Sequence, residues 1–253
     1  MEKIAIIPTY NEKENISSIL QAIFGLQQDF HVLVIDDGSP DGTAQIVQAL
    51  QQQFPGQLFL EQRTGKLGLG TAYIHGFKWS LAKGYKYIFE MDADFSHNPK
   101  DLQRLYLACS EGGADLAIGS RWVKGGGTVN WPWDRIFLSK GGSWYTRIIT
   151  WMPVKDTTAG FVCYKREVLE AINLDEIRFL GYAFQIEMKF AAWKLGFKIK
   201  EVPIIFEDRQ YGVSKMHKGI VKEGVLGVLK LRWESLFKDY HNRMKNNEEE
   251  AAA

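Results

Sequence analysis

The sequence predicts an α/β fold, in which helices flank a mostly parallel sheet. Strand-like and helix-like segments alternate about four times in the first 100 residues, a pattern typical of parallel sheets. Apolar residues form 45% of the 253-residue chain, which is enough for a substantial core. Polar loops follow the predicted strands, and the carboxyl ends of parallel strands meet at the sheet edge where ligands bind. The sequence therefore predicts a ligand crevice at one edge of the sheet.

The first half of the chain contains apolar segments that end in polar loops. Apolar residues from Ile16 to Phe24 follow the i, i+3, i+4, i+7 spacing of an amphipathic helix. Further helices are predicted from about Thr43 and from about Thr71 to Lys83. The strands predicted around these helices are Lys3 to Pro8, His31 to Ile35, Leu58 to Glu61 and Tyr87 to Met91. Right-handed crossovers place the loops after these strands on one side of the molecule.

The second half has a less regular pattern. Pro203 favours an edge position for the last predicted strand. A helix is predicted from Tyr182 to Leu195, and from Lys218 onward apolar residues at helical spacing predict an amphipathic C-terminal helix. The strands predicted in this half are Leu116 to Ser120, Gly160 to Tyr164 and Lys198 to Phe206.

Charge is unevenly spread, although the formal net charge of +1 argues against a nucleic-acid-binding protein. Residues 209–245 contain nine lysines and arginines against three acidic residues. Residues 121–155 contain six basic residues against Asp134 alone, together with five of the eight tryptophans. Tryptophan favours the headgroup zone of a bilayer and basic residues favour anionic lipid, so segment 121–155 is predicted to contact a membrane. For the C-terminal helix, membrane contact and packing against the core or a partner protein are equal alternatives. No apolar run has the length of about 18 residues that a spanning helix needs.

The segment DADFSH places two carboxylates directly after the strand predicted at Tyr87 to Met91. Residues i and i+2 of an extended chain point the same way, so Asp92 and Asp94 face one side. Because two close carboxylates repel without a cation, the pair is a candidate site for Mg²⁺ or Mn²⁺, completed by substrate phosphates and water. Glu90 lies on the same side, one step deeper, as a candidate supporting group. The alternative is a solvated turn with two ordinary surface aspartates.

Two further loops carry candidate ligand contacts. Asp36 and Asp37 follow a predicted strand, and adjacent strand residues point to opposite faces. One of them can reach a base or ribose while the other ties down the loop. Asp41 and Thr43 fit turn and N-cap chemistry. In GKLGLG, Tyr73 stands where a dinucleotide-binding motif needs glycine or alanine, which excludes that motif and favours close packing as the role of the glycines.

A basic loop, FEDRQYGVSK, follows the predicted edge strand. Arg209 can bind phosphate oxygens through two parallel hydrogen bonds, and Lys215 can act as a point charge. The alternative is a solvated basic loop. A metal-bound diphosphate needs further cations, which this loop could supply.

Together these motifs resemble those of a known family. Family-two glycosyltransferases of GT-A fold carry similar motifs, and the polyprenyl- or dolichyl-phosphate mannose synthase branch is the most similar. The resemblance covers roughly residues 3–216. It implies transfer of mannose from GDP-mannose to a polyprenyl phosphate, with inversion at the sugar carbon and with Mg²⁺ or Mn²⁺ as cofactor. The motifs that carry it are IIPTYNE, VIDDGSPDGT, KLGLGTAYIHG, DADFSHNP, GSRW, DTTAGFVCYKREVL and FEDRQYGVSK.

The resemblance also implies roles for individual residues. Asp92 and Asp94 would engage the metal and the diphosphate, and Arg135 and Ser139 match positions near the acceptor phosphate. Some members of the branch carry glutamine where this chain has Ser96, so direct ligation, ligation through water and no ligation all stay open for that residue. The implied nucleotide contacts are Pro8, Tyr10, Glu12, Ile35, Asp37 and Ala93. The implied phosphate contacts are Arg121, Arg209 and Lys215.

The expected organisation is a GT-A glycosyltransferase domain at residues 1–216, an amphipathic basic helix region at 217–245 and a disordered tail at 246–253. We expect a peripheral location at the cytoplasmic, inner face of the cell membrane. The expected partners are GDP-mannose, polyprenyl phosphate and the membrane surface, with a small membrane-anchoring subunit as a further candidate and no nucleic acid. Two alternatives are a related synthase that uses UDP-glucose or another nucleotide sugar, and a non-catalytic sugar-nucleotide-binding subunit.

Overall fold

The computed structural model describes residues 1–26, 28–179, 181, 183–208 and 218–237, with no side chains described between 218 and 223. Arg209, Lys215 and the expected tail at 246–253 lie outside the described residues. The strands are β1 Lys3–Thr9, β2 Phe30–Asp36, β3 Leu58–Gln62, β4 Tyr87–Glu90, β5 Leu116–Ser120, β6 Gly127–Val129, β7 Val162–Lys165, β8 Ile199–Pro203 and β9 Ile205–Glu207. The helices are α1 Ile16–Phe24, α2 Thr43–Gln51, α3 Leu69–Ala82, α4 Asp101–Ser110, α5 Trp133–Thr150, α6 Arg166–Ala171, α7 Ala183–Lys194 and α8 Lys218–Glu234, with a 3₁₀ helix at Leu174–Glu176.

The predicted α/β fold with a mostly parallel sheet is confirmed. Seven strands form one sheet in the order β3-β2-β1-β4-β7-β5-β8. Only β7 runs antiparallel to its neighbours in this sheet. Strands β6 and β9 form a separate parallel pair. Strand β4, which leads into DADFSH, therefore lies in the middle of the large sheet.

The sheet separates two apolar cores because successive strand residues point to opposite faces. In β1, Ile4 and Ile6 belong to one core and Ala5 and Ile7 to the other. All four side chains are fully buried. A strand covered on both faces reads as a continuous apolar run, which is why β1 could be predicted from its composition.

The second half departs from the prediction at two strands. The segment predicted at Gly160 to Tyr164 forms β7, which is displaced to Val162–Lys165 and runs antiparallel between β4 and β5. The single strand predicted at Lys198 to Phe206 is wrong, because the chain changes sheets at Ile204. The Ile204 N–H donates to the Ser120 carbonyl at 3.0 Å, and the Ile204 carbonyl accepts from the Gly127 N–H at 3.0 Å. The part before this point is β8 at the edge of the large sheet, as Pro203 predicted.

About half of the tryptophan-rich segment 121–155 forms the 18-residue helix α5, Trp133–Thr150. Helix α8 packs against both α5 and α7. The Tyr145 hydroxyl donates to the Val225 carbonyl at 3.0 Å, and the Arg232 guanidinium lies 4.6 Å from the ring centre of Trp151. The α5 and α8 helices thus share one side of the protein. Among the described helices, none has the length and apolar character needed to cross a membrane.

Candidate active site

The loops after β1 and β2 are joined by hydrogen bonds at the carboxyl edge of the sheet. Three backbone N–H groups of the first loop donate to side chains of the second: Asn11 to Ser39 Oγ at 3.0 Å, Glu12 to Thr43 Oγ1 at 3.0 Å and Lys13 to Asp41 Oδ2 at 3.1 Å. Asp41 Oδ1 also accepts from the backbone and hydroxyl of Thr43 at 3.0 and 2.6 Å, the turn chemistry predicted for this pair. These bonds fix one wall of the crevice.

Asp36 and Asp37 contact different parts of this wall. Asp36 is fully buried and accepts from the hydroxyl groups of Thr9 at 2.8 Å and Ser39 at 2.6 Å. Asp37 accepts from Arg63 Nε at 2.7 Å and from the Leu67 N–H at 3.2 Å. Asp36 therefore ties the first two loops together, and Asp37 holds the loop after β3 against β2. The implied contact between Asp37 and a nucleotide stays a prediction.

The other implied nucleotide contacts lie at different depths. Pro8 and Tyr10 are half-buried at the end of β1, and the Lys66 ammonium lies 5.3 Å from the centre of the Tyr10 ring. Ile35 is fully buried in the core, and Ala93 is 4% exposed. The structure thus brings Tyr10 to the crevice and leaves the Ile35 side chain inside the protein.

The glycine-rich loop GKLGLG is shaped by backbone conformation at two of its glycines. Gly65 and Gly68 have φ angles of +80° and +103°, a region that side chains with a Cβ rarely adopt. A Cβ atom added at Gly65 would meet nothing within 4 Å, so the packing role predicted for the glycines is wrong at that position. Arg63 stabilises the loop by donating to Thr71 Oγ1 at 2.9 Å and to the Gly68 carbonyl at 3.4 Å.

The DADFSH turn carries the two aspartates out of the sheet directly after β4. The Asp92 side chain is 39% exposed, whereas Asp94 is only 7% exposed. The Asp94 Oδ1 atom accepts from the Ser96 N–H at 3.1 Å. Phe95 has a φ of +60°, a strained conformation for a residue with a Cβ, costing about 1 kcal/mol or more. The turn is therefore held in a specific geometry rather than loosely solvated.

The donor atoms of this turn fit Mg²⁺ or Mn²⁺. Carboxylate oxygens are the ligands that these cations prefer. The Ser96 hydroxyl is buried and has no hydrogen-bond partner among the described residues, so an unsatisfied oxygen lies next to the carboxylates. Within the same residues, no group of three histidine, cysteine, aspartate or glutamate side chains could hold a metal. The role of Asp92 and Asp94 as part of a coordination shell, which phosphates and water would complete, stays a prediction.

His97 supports the turn as a neutral ring. Its ring stacks on Phe161 at 4.8 Å between centres and meets Phe206 edge-on at 5.3 Å. Burial is the main cause that lowers the pKa of His97 to about 4, so the imidazole is uncharged at neutral pH. Its Nδ1 atom accepts from the Asp92 N–H at 3.3 Å. His97 therefore positions the backbone of Asp92 and does not neutralise its carboxylate.

Arg121, which follows β5, is buried and tightly held. Its Nε and Nη2 atoms donate to the two oxygens of Asp156 at 2.8 and 2.6 Å, and its backbone N–H donates to the same carboxylate at 2.9 Å. The guanidinium lies 5.3 Å from the ring centre of Trp131 and 5.5 Å from that of Phe206. A bidentate pair of this kind fixes the plane of the guanidinium. The implied phosphate contact of Arg121 stays a prediction.

Asp156 is itself positioned by Glu201 of β8. The Glu201 carboxylate accepts from the Asp156 N–H at 2.9 Å, the Lys155 N–H at 2.8 Å and the Ser120 hydroxyl at 2.7 Å. Asp156, which orients Arg121, is therefore held in place by a side chain of the sheet strand β8.

Arg135 and Ser139 lie one turn apart on α5, near its N-terminus. Arg135 donates to Asp208 at 2.7 Å, and its guanidinium stacks 4.0 Å from the ring centre of Trp131. The Ser139 hydroxyl is buried without a hydrogen-bond partner among the described residues. A cation and an unsatisfied hydroxyl at this spacing could together bind an anionic group.

Strand β9 connects this part of α5 to the DADFSH turn. The Glu207 N–H donates to the Ser96 carbonyl at 3.3 Å, and the Asp208 N–H donates to the Val129 carbonyl at 3.2 Å. Asp208 also accepts from Arg135. The candidate metal ligands and the candidate acceptor residues therefore belong to one connected site.

Sequence reasoning gave no individual role to Asp156, Glu201 or Asp208, and it included Trp131 only as one of the tryptophans of segment 121–155. Asp156 begins the motif DTTAGFVCYKREVL, and that position was its only signal. The partners of these residues are far away in sequence, and only the folded chain brings them together. Arg209 and Lys215, which were predicted to bind phosphates, cannot be placed because they lie outside the described residues.

Comparison with known proteins shows the family to which the sequence is similar. Residues 4–172 match glycosyl transferase family 2. The chain is 46% identical over 225 residues to a polyprenol monophosphomannose synthase of Mycolicibacterium smegmatis, a match that covers 89% of this chain and 84% of that protein. It is also 46% identical over 240 residues to an undecaprenyl-phosphate mannosyltransferase of Micrococcus luteus, covering 93% and 98% of the two chains.

Solved structures share the fold at low sequence identity. A glucosyl-3-phosphoglycerate synthase from Mycobacterium tuberculosis, in complex with Mn²⁺, UDP and glucosyl-3-phosphoglycerate, aligns with a TM-score of 0.65 and 17% identity, covering 91% of this chain and 79% of that one. A mannosyltransferase from Pyrobaculum calidifontis, in complex with GDP-Man and Mn²⁺, aligns with a TM-score of 0.57 and 18% identity, covering 93% and 64%. At these identities the similarity concerns the fold.

Proposed function

The chain belongs to glycosyl transferase family 2, and from this we propose that it transfers mannose from GDP-mannose to a polyprenyl phosphate with inversion at the sugar carbon. The observation that carries the proposal is the 46% identity, over most of both chains, to two proteins whose names state mannose and a polyprenyl or undecaprenyl phosphate. The donor nucleotide follows from the motif resemblance, and the fold relative in complex with GDP-Man and Mn²⁺ is consistent with it.

On the donor side, the wall formed by the first two loops would hold the nucleotide, with Tyr10 and Lys66 at its open edge. Asp92 and Asp94 would hold Mg²⁺ or Mn²⁺. The bound cation would stabilise the negative charge that develops on the departing diphosphate. Arg121, fixed by Asp156, would face the phosphates with a preorganised positive charge.

On the acceptor side, Arg135 and Ser139 would bind the phosphate of the polyprenyl chain. A phosphate monoester has a second pKa of about 6, so it is mostly dianionic at neutral pH and is already a nucleophile. Such a group needs alignment rather than deprotonation, which a guanidinium stacked on Trp131 and a buried hydroxyl can supply. We therefore expect no essential histidine or glutamate base.

The protein would meet its lipid acceptor at a membrane surface through α5, as a peripheral protein at the cytoplasmic face. Four aromatic side chains of this helix and its C-terminal boundary are largely exposed: Trp133 at 85%, Phe137 at 80%, Trp144 at 65% and Trp151 at 72%. Helix α8 adds exposed apolar side chains beside them, among them Leu229 and Trp233. Exposed aromatic residues together with basic ones are typical of an interfacial surface.

A radiolabel transfer assay tests the proposed function. Polyprenyl phosphate and Mg²⁺ or Mn²⁺ would be supplied with labelled GDP-mannose or labelled UDP-glucose, and the lipid-extractable label would be counted. We expect label in the lipid fraction from GDP-mannose, and only after a divalent cation is added. Transfer from UDP-glucose alone would indicate the related synthase. Tight nucleotide binding without transfer from any nucleotide sugar would indicate a non-catalytic subunit.

Membrane contact through α5 predicts the behaviour of a double variant. Trp144→Gln with Trp151→Gln should lower the fraction of protein that floats with anionic liposomes by about 10-fold or more, because each buried aromatic side chain contributes about 1.5–3 kcal/mol. Liposome flotation with sedimentation of the free protein measures this fraction. Leu107→Ala, which alters an exposed apolar residue on α4, is the matched control and should float normally. Wild-type protein that never floats would contradict the membrane assignment.

A further inference from the structure

A buried network of three polar side chains lies behind the active site. Lys189 of α7 and Glu90 of β4 are both fully buried, and Gln185, one turn before Lys189, is 2% exposed. Gln185 Nε2 donates to the Glu90 carboxylate, and Gln185 Oε1 accepts from Lys189 Nζ at 3.0 Å. Glu90 is thus linked to α7 through Gln185, and its role as a supporting group for the candidate metal ligands stays a prediction.

Lys189 has one more contact, which lies outside this network. Its ammonium donates to the backbone carbonyl of Ala159 at 2.7 Å, the shortest of its three hydrogen bonds. Burial lowers the pKa of Lys189, and the Glu90 carboxylate opposes that shift. The ammonium is therefore bonded directly to a carbonyl in the loop before β7, and it is connected to the Glu90 carboxylate of β4 through Gln185.

Ala159 lies in the middle of segment 156–161, whose two ends both contact the active site. At one end, Asp156 binds Arg121 through both carboxylate oxygens. At the other end, the Phe161 ring stacks on His97, which accepts from the Asp92 N–H. Displacement of this segment would therefore disturb the position of the arginine relative to the candidate metal turn.

We propose that Lys189 is a positioning residue for sugar transfer, which fixes segment 156–161 relative to β4 and so sets the spacing between Arg121 and the Asp92–Asp94 pair. The inference rests on the proposed function, because it assigns these groups to the diphosphate and its metal. Lys189 acts only through other residues and does not touch the substrate. Gln185 links the lysine to Glu90, because it accepts from one and donates to the other.

Two buried groups of opposite charge are by themselves weak support for such a role, because replacing both with hydrophobic side chains of similar volume is often harmless to stability. Removal of one partner alone leaves an uncompensated buried charge, which destabilises the fold. The two effects can be separated by comparing Lys189→Met with the double variant Glu90→Gln/Lys189→Met. The double variant removes both buried charges, but it still lacks the lysine that donates to the Ala159 carbonyl. It therefore restores charge balance without restoring the contact to segment 156–161.

The test has two readouts, hydrogen exchange of segment 156–161 and the rate of transfer per folded molecule. We expect Lys189→Met to lower the melting temperature and the double variant to recover most of it. In both variants the segment should exchange at least 10-fold faster, and transfer should be about 100-fold slower, as a displacement of about 1 Å can cause. Lys194→Met, on the same helix but beside Phe190 and Trp193, should match the wild type in both readouts.

The inference is overturned if the double variant regains wild-type exchange and wild-type transfer together with its stability, because the network then serves stability alone. It is also overturned if transfer falls while exchange of segment 156–161 does not change. Absence of transfer in the wild type would refute the proposed function instead. The exchange comparison would still report whether Lys189 holds the segment.

Discussion

Replacement of Asp94 with alanine is expected to lower the rate of mannose transfer by about 100- to 1,000-fold, because charge on the leaving diphosphate loses its stabilisation. Asp94 is the less exposed of the two aspartates and also accepts from the Ser96 N–H, so it shapes the turn and, by our proposal, would also ligate the cation. The loss of transfer rate is measured from initial rates at saturating GDP-mannose over a range of Mn²⁺ concentrations. Calorimetric titration of Mn²⁺ in the presence of GDP should show weaker cation binding.

The matched control for Asp94 is Asp175→Ala, since Asp175 is an exposed carboxylate paired with Lys78 at another part of the surface. This variant should keep wild-type rates and wild-type Mn²⁺ affinity. If Asp94→Ala turned over normally while still requiring the metal, the assignment of the metal site to the DADFSH turn would be wrong. Asp92→Ala, which alters the more exposed carboxylate, should show a loss of the same kind.

Local patterns in the sequence were sufficient to predict the strands that position the metal site. Strand β4 is a buried apolar run, and the position of Asp92 directly after it follows from where that run ends. Strand β7 was predicted to begin two residues too early, and its antiparallel direction could not be predicted because it depends on pairing with β4, which is far away in sequence. The change of sheet at Ile204 likewise depends on Ser120 and Gly127, which a local pattern cannot reveal.

The supporting residues of the site could not be predicted for the same reason. Asp156 and Arg121 are 35 positions apart, and Lys189 and Ala159 are 30 positions apart. Each of these residues has an ordinary interpretation in the sequence as a loop or helix residue. Their roles follow from burial, because a buried charge must be paired or hydrogen-bonded. The sequence could thus point to candidate groups for facing a ligand, which stay predictions, whereas it could not predict the groups that lie behind them.

Replacement of Arg135 with alanine is expected to lower kcat/KM for the polyprenyl phosphate by about 100-fold, since a hydrogen bond to a charged group contributes about 1.5–3 kcal/mol. The KM for GDP-mannose should stay within about twofold, because Arg135 belongs to the acceptor side of the site. Arg135→Lys keeps the charge but loses the planar stack on Trp131, so it should recover only part of the loss. Steady-state rates with each substrate varied in turn measure both effects.

Two controls separate phosphate binding from the other contacts of Arg135. Arg104→Ala alters an exposed basic residue on α4, which pairs with Asp101, and should leave both KM values unchanged. Asp208→Asn weakens the ion pair at 2.7 Å while keeping the arginine. If Asp208→Asn raised the acceptor KM as much as Arg135→Ala, the arginine would act by holding β9 in place. If the acceptor KM rose in Arg135→Ala but not in Asp208→Asn, the result would indicate that Arg135 binds the phosphate while it also pairs with Asp208.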